Sequence, residues 1–233
     1  MPLRPEELAK TIELTLIEQG IGDGTLEHAC AQAHEHHFAS VCVGPDAVSR
    51  ARDALRGTDV KVAAAVGFPH GGQSTKEKVA IAAESVDAGA GELDLVLNGE
   101  ALAAGEFLLV RDELVALVHS VRMRTVNARR GYVLLKAVFD PTPLSDKAKR
   151  LLCRIIEAAG VDFASIASDG DGAGTPHEVE LLRDYLSERV AVKASGAADS
   201  AGDVIELVNA GAGRIGTPYA VRVMQELATY RTA

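Results

Sequence analysis

A lysine that closes an apolar strand is the residue here with the most chemistry to offer. Arg189–Ala198 reads RVAVKASGAA. Val190, Ala191 and Val192 lead into Lys193, and Ala194, Ser195, Gly196 and Ala197 are small enough for the backbone to turn. Burying an ammonium is expensive unless its charge is used or its pKa is lowered. Lys193 is therefore either a long side chain that carries its amine past the strand end to water, or a working amine. What the other apolar runs carry at their ends favours the second reading. Cys42 lies in SVCV, Asp94 in ELDLVLN, and Lys136 in YVLLKAVF with Asp140 just beyond it. Ser165 lies in another such run, with Ser168 and Asp169 just beyond it. Two lysines and a carboxylate at one apolar mouth suit amine chemistry. One ammonium lowers the pKa of the other, and a neutral amine attacks a carbonyl to give a Schiff base. The carboxylate, with a water, then carries the proton. Lys136 could equally do no more than compensate Asp140 or Asp169.

Such residues meet only if the strands that bear them lie side by side. The apolar runs are Ile12–Ile17, Phe38–Val43, Val60–Phe68, Glu92–Asn98, Tyr132–Phe139, Asp162–Ala167, Val190–Lys193 and Gly213–Thr217. A helical stretch follows each one, after a short leading helix at Pro5–Lys10: from Thr25, Pro45, Thr75, Gly105, Ser145, Pro176, Asp199 and Pro218. Strands that are apolar throughout, rather than at alternate positions, belong to a parallel sheet covered by helices. Eight of them close naturally into a (β/α)8 TIM barrel, whose site forms at the C-terminal strand ends. A weak repeat, DAGAGELDLV, EAAGVDFASI and NAGAGRIGT, marks helix ends on glycine that turn straight into a strand. No linker interrupts the chain, so residues 1–233 read as one domain.

Composition narrows the class. The chain has 233 residues, 47% hydrophobic and 24% charged, which suits one globular core. A net charge of -9 with scattered Lys and Arg argues against nucleic acid or an anionic membrane as partner. No apolar run approaches a membrane span. Cys30, Cys42 and Cys153 have neither CxxC nor zinc-type spacing, which predicts reduced thiols in a cytoplasmic protein without a signal peptide.

Cys42 in SVCV, GFP at Gly67–Pro69, Asp94 in ELDLVLN, KASG at Lys193–Gly196 and RIGT at Arg214–Thr217 together resemble deoxyribose-phosphate aldolase, in register over nearly the whole chain. The resemblance implies a TIM barrel and a class I aldolase ancestry without metal or cofactor. It also implies a homodimer. By it, Asp94 is the proton-relay carboxylate, Lys193 the lysine that tunes its neighbour, and Cys42 a pocket residue. The family's Schiff-base lysine stands on strand six, after an Asp-Phe pair and within Lys-Thr-Ser-Thr-Gly. Here Asp162-Phe163-Ala164 is followed by Ser165, and that lysine is missing. The family's Asp-His-Thr-Leu-Leu-Lys on strand one appears as Glu13-Leu14-Thr15-Leu16-Ile17-Glu18. Its phosphate-holding Gly-Thr-Ser-Ser-Gly becomes Gly216-Thr217-Pro218-Tyr219-Ala220, where Pro218 lacks an N–H and Tyr219 brings a ring.

The expectation is therefore a divergent lyase acting on a small carbonyl substrate other than deoxyribose 5-phosphate. Lys193 or Lys136, which stands one strand away from strand six, is the amine, and Asp94 the relay. Cys42, Asp140, Ser165, Ser168 and Asp169 would surround the substrate, with Ser195, Gly196, Gly216, Thr217 and Tyr219. The alternatives are a barrel enzyme using imine-free acid–base catalysis and a non-catalytic binding barrel. His70, after GFP, is a loop histidine or a donor to substrate. Asp169-Gly170-Asp171-Gly172 lacks the later ligands of a calcium loop and reads as a glycine-rich lid. His34, His36 and His37 end a helix on the opposite rim, where a helix C-terminus favours them.

Overall fold

The structure, a computed structural model, describes residues 4–18, 20–128, 131–167, 174–196 and 198–230. After α1 (Pro5–Ala9), eight strands alternate with helices: β1 (Ile12–Leu16), α2 (Asp23–Glu35), β2 (Ser40–Val43), α3 (Val48–Ala54), β3 (Lys61–Val66), α4 (Thr75–Ala88), β4 (Glu92–Val96), α5 (Gly99–Ala103) and α6 (Phe107–Asn127). The second half adds β5 (Leu134–Phe139), α7 (Asp146–Ala159), β6 (Phe163–Ile166), α8 (Pro176–Tyr185), β7 (Ala191–Ser195), α9 (Ala201–Asn209), β8 (Ala212–Thr217) and α10 (Ala220–Tyr230). Every strand pairs in parallel with its sequence neighbours, and β8 pairs back onto β1, so the sheet is a closed (β/α)8 barrel.

Local chemistry sets the elements. Ser74 and Glu77 cap α4 reciprocally, and the Ser145 side chain accepts the Ala148 N–H at the start of α7. Gly89 ends α4 in the left-handed region, and a Cβ there would lie 2.3 Å from Arg52 Cδ, so both φ and space demand glycine. The expected strands all form: the first six are shorter by a residue or more, β7 runs on to Ser195, and β8 begins one residue early at Ala212. The helix expected from Gly105 begins at Phe107. It is preceded by α5, which Asn98 caps by accepting the Ala101 N–H at 2.9 Å. The helix expected from Thr25 starts at Asp23, after Gly22. Among the described residues no helix is long and apolar enough to cross a membrane.

The apolar core lies between the sheet and its helices, with Leu93, Leu95, Leu114, Leu117, Leu135 and Leu152 fully buried. Inside the barrel the filling is different. Alternate residues of each strand point inward, and there the sequence supplies charge.

Candidate active site

Glu13 and Thr15 share one face of β1, Glu92 and Asp94 one face of β4, and Lys193 and Ser195 one face of β7. Lys136 comes from β5, Ser165 from β6 and Arg214 from β8. In the register, Asp94 lies opposite Lys136, and Ser165 opposite Lys193. The result is a buried layer of alternating charge. Lys136 Nζ is 2.5 Å from Glu13 Oε2, 2.7 Å from Glu92 Oε2 and 2.9 Å from Asp94 Oδ1. Lys193 Nζ donates to both Glu13 Oε1 and Asp94 Oδ2. Arg214 Nη1 lies 3.0 Å from Glu92 Oε2 and donates to Ser40 Oγ at 2.9 Å, and Ser40 passes a hydrogen bond to Glu13 Oε2. Three acids thus face three bases and their formal charges cancel, which is the condition for burying them together.

That arrangement decides protonation. Burial works against the Lys193 ammonium, but Asp94 and Glu13 outweigh it and hold its pKa above the ordinary lysine range. Lys136 stands well above that range, because Asp94, Glu13 and Glu92 overcome the same burial penalty. Burial would raise Glu13, yet Lys136, Lys193 and Arg214 drive it far below the carboxylate range. The expected mutual depression of two lysines is thus reversed: each repels the other, but the carboxylates between them dominate. Cys42 is pushed well up by burial, then by Asp94 and Glu13, and its thiol stays protonated. It packs with Ala63 and Ala65 beneath Ile17.

The signs give a pH profile. Glu13 adds stability that is full above the ordinary carboxylate pKa of about 4.3 and is lost as pH falls towards its depressed folded value. The lysines add stability that is full below about 10.4 and is lost as pH rises through their raised values. Urea midpoints should therefore show no loss from this layer between about pH 6 and 9. A decline centred near neutrality that Lys193→Met abolishes would contradict it.

Directly above this layer, at the C-terminal strand ends, lies a cavity of about 320 Å³. Its inner ring is Thr15, Val96, Val138, Ala167 and Ser195. Each stands two residues beyond Glu13, Asp94, Lys136, Ser165 or Lys193, so the charged layer is the next inward-facing tier below. Asp94 is the carboxylate nearest to opening, 6% exposed against 0% for Glu13 and 1% for Glu92. Its Oδ1 accepts no hydrogen bond, because Lys136 approaches it off line. Lys193 is 2% exposed and Lys136 0%.

Of the residues expected around the substrate, Asp140, Ser195 and Gly196 line the cavity, as does His70. Asp140 also accepts the Thr142 N–H at 2.8 Å. Ser165 is buried with its hydroxyl unpartnered. Gly216 lies where a Cβ would come within 2.8 Å of Ser195 Oγ and 3.1 Å of Lys193 Cε. Gly216→Ala should therefore displace Lys193 and destabilise by about 1–3 kcal/mol, read by urea denaturation alongside activity. Thr217 and Tyr219 do not line the cavity. Thr217 Oγ1 donates to the Ala198 carbonyl at 2.6 Å and accepts the Tyr219 N–H at 3.0 Å, and the Tyr219 ring turns out under Arg222. Ser168 and Asp169, with the rest of the glycine-rich loop to Ala173, lie outside the described residues. Lys136 compensates Glu13, Glu92 and Asp94, not Asp140.

Glu13, Cys42 and Asp94 are a possible donor set for a metal ion, with ligand atoms within 4.8 Å of one another. The Lys193 ammonium already sits on both carboxylates, and the thiol is held protonated, so the set does not fit a resident ion.

A parallel barrel with paired lysines and carboxylates beneath its mouth is compatible with an aldolase-type lyase, and comparison with known proteins gives that class. The chain is 36% identical over 220 residues to the deoxyribose-phosphate aldolase of Caldanaerobacter subterraneus subsp. tengcongensis, covering 94% of this chain and 93% of that one. It is 36% identical to the deoxyribose-phosphate aldolase of Streptococcus pneumoniae serotype 19F, covering 94% and 96%. The tetrameric deoxyribose phosphate aldolase of Aeropyrum pernix superposes with a TM-score of 0.86 at 25% identity, over 97% of this chain and 93% of that one. No protein-family model matches the chain. The chain belongs to the deoxyribose-phosphate aldolase family.

Proposed function

We propose that this lyase makes and breaks a carbon–carbon bond beside a small carbonyl group by acid–base catalysis, with Lys193 as the acid and Asp94 as the base. The observation that carries the reading is the Lys193 ammonium held between Glu13 and Asp94, one tier below the cavity. An amine kept charged is a proton donor and a fixed positive charge, not a nucleophile.

In the cleavage direction, Asp94 takes the proton of the substrate's β-hydroxyl, and the oxygen's electron pair forms the leaving aldehyde's C=O. The electrons of the broken C–C bond pass to the carbonyl oxygen, which takes a proton from Lys193. Asp94 then delivers its proton to the enol carbon while the enol hydroxyl returns its proton to Lys193, which gives the carbonyl product and restores both groups. Glu13 holds Lys193 in place throughout. Lys136, sealed among three carboxylates, neutralises the layer and does not touch substrate.

A Schiff base on Lys193 is the second reading, favoured by its hydrogen bond to Asp94. One proton transfer along that bond would free the amine.

The test is turnover of a β-hydroxy ketone, or aldol formation from acetaldehyde and propanal. Asp94→Asn and Lys193→Met should each lower kcat by about 10²–10⁴. A far-ultraviolet spectrum and melt of each variant separate loss of chemistry from loss of fold. Full activity in either folded variant would overturn the assignment.

A further inference from the structure

The cavity is polar at its floor and apolar on its walls except at His70 and Asp140, and we infer that it takes carbonyl compounds bearing an unphosphorylated, apolar tail. This deepens the lyase reading above and rests on it for the chemistry, but not for the binding.

At the floor, Thr15 Oγ1 is buried with no hydrogen-bond partner among the described residues, and Ser195 stands beside it at the crowded approach to Gly216. A buried hydroxyl without a partner is costly and ready to donate to a ligand oxygen. A carbonyl group placed there also faces the tier that holds Lys193 and Asp94. The walls are Val96, Leu97, Leu102, Val138 and Phe139, and Phe68, 45% exposed, stands at the rim. These side chains offer a tail only apolar surface, whose burial rewards each added methylene.

The same cavity is poorly made for a phosphate. Among the described residues no lysine or arginine lines it, whereas the Asp140 carboxylate does. At the end of β8, the Thr217 hydroxyl and the Tyr219 N–H already bond within the chain. Arg222, the first cation after them in sequence, stacks on Tyr219 and pairs with Asp199 at 3.3 Å. Among the described lining residues a dianionic group would meet the Asp140 carboxylate and no lysine or arginine, which disfavours it.

The experiment is calorimetric titration of the wild-type chain with 2-alkanones from propanone to 2-octanone, which cannot undergo retro-aldol cleavage, and with glycerol 3-phosphate. Affinity should rise about fourfold per methylene until the cavity is filled, then level off. The near-isosteric Val138→Thr should flatten that rise without unfolding the chain, which excludes binding elsewhere on the surface. Glycerol 3-phosphate should bind at least tenfold more weakly than the best alkanone. A flat series, a rise unaltered by Val138→Thr, or tighter binding of glycerol 3-phosphate would overturn the inference. Turnover of 4-hydroxy-2-alkanones is measured in parallel. Chain-length-dependent binding without any turnover would sink the lyase chemistry and leave the tail preference standing. Turnover restricted to phosphorylated compounds would do the reverse.

Discussion

Lys136→Met should destabilise the fold by about 3–5 kcal/mol, the usual cost of leaving a buried charge without its partner. The side chain is fully buried, and its amine is, among the described residues, the one cation within 3 Å of all three carboxylates. Removing it leaves Glu13, Glu92 and Asp94 facing only Lys193 and Arg214. Methionine fills most of the volume, so packing loss is a minor part of the effect. A paired change should separate charge from shape. Lys136→Met with Glu92→Gln restores neutrality and should recover a substantial part of the loss. Urea denaturation of the wild type, the single variant and the pair checks this. A single variant within 1 kcal/mol of wild type, or a pair no better than the single, would mean that the layer is not held by mutual neutralisation.

Ser165→Lys should create an imine-forming site. Ser165 stands opposite Lys193 in the β6–β7 register, one inward tier below the cavity residue Ala167, with an unpartnered hydroxyl. By the family resemblance it occupies the place of the strand-six lysine. Every carboxylate of the layer already pairs with Lys136, Lys193 or Arg214, so a lysine added there sets four cations against three acids in a buried layer. Desolvation and the neighbouring Lys193 ammonium both push its pKa down, leaving the neutral amine that attacks a carbonyl. With acetaldehyde and borohydride, the Ser165→Lys protein should gain the mass of one ethyl group, and Ser165→Met should not. Absence of the adduct in a folded Ser165→Lys protein would show that no neutral amine is accessible there.

These two predictions mark what could and could not be read along the chain. The barrel was legible because each β/α unit carries an apolar run bounded by a glycine or a cap, and Gly89 and Gly160 end their helices in the left-handed region as the repeat implied. Lys193, Asp94 and Lys136 were legible as charges inside apolar runs. Glu13, Glu92 and Arg214 carry the same signal, a charge within an apolar run, though the resemblance gives Glu13 and Glu92 no role. The two-residue period would have found them, since Glu92 shares a strand face with Asp94, and Arg214 one with Gly216. The protonation of the lysines was not legible at all. It depends on which strands face one another across the barrel, and three carboxylates converge only once the sheet closes. Tyr219 likewise follows β8 in sequence, but hydrogen bonds through Thr217 and the stack on Arg222 turn its ring away.

The decisive question is whether the wild-type barrel works with charged lysines. Intact mass after borohydride treatment with acetaldehyde and propanal, near neutral pH, reads this directly, with Ser165→Lys as the sample in which trapping should succeed. The wild-type mass should stay unmodified while the same protein turns over a β-hydroxy ketone. A single adduct on wild type that disappears in Lys193→Ala would contradict it, and would assign the reaction to an imine on Lys193.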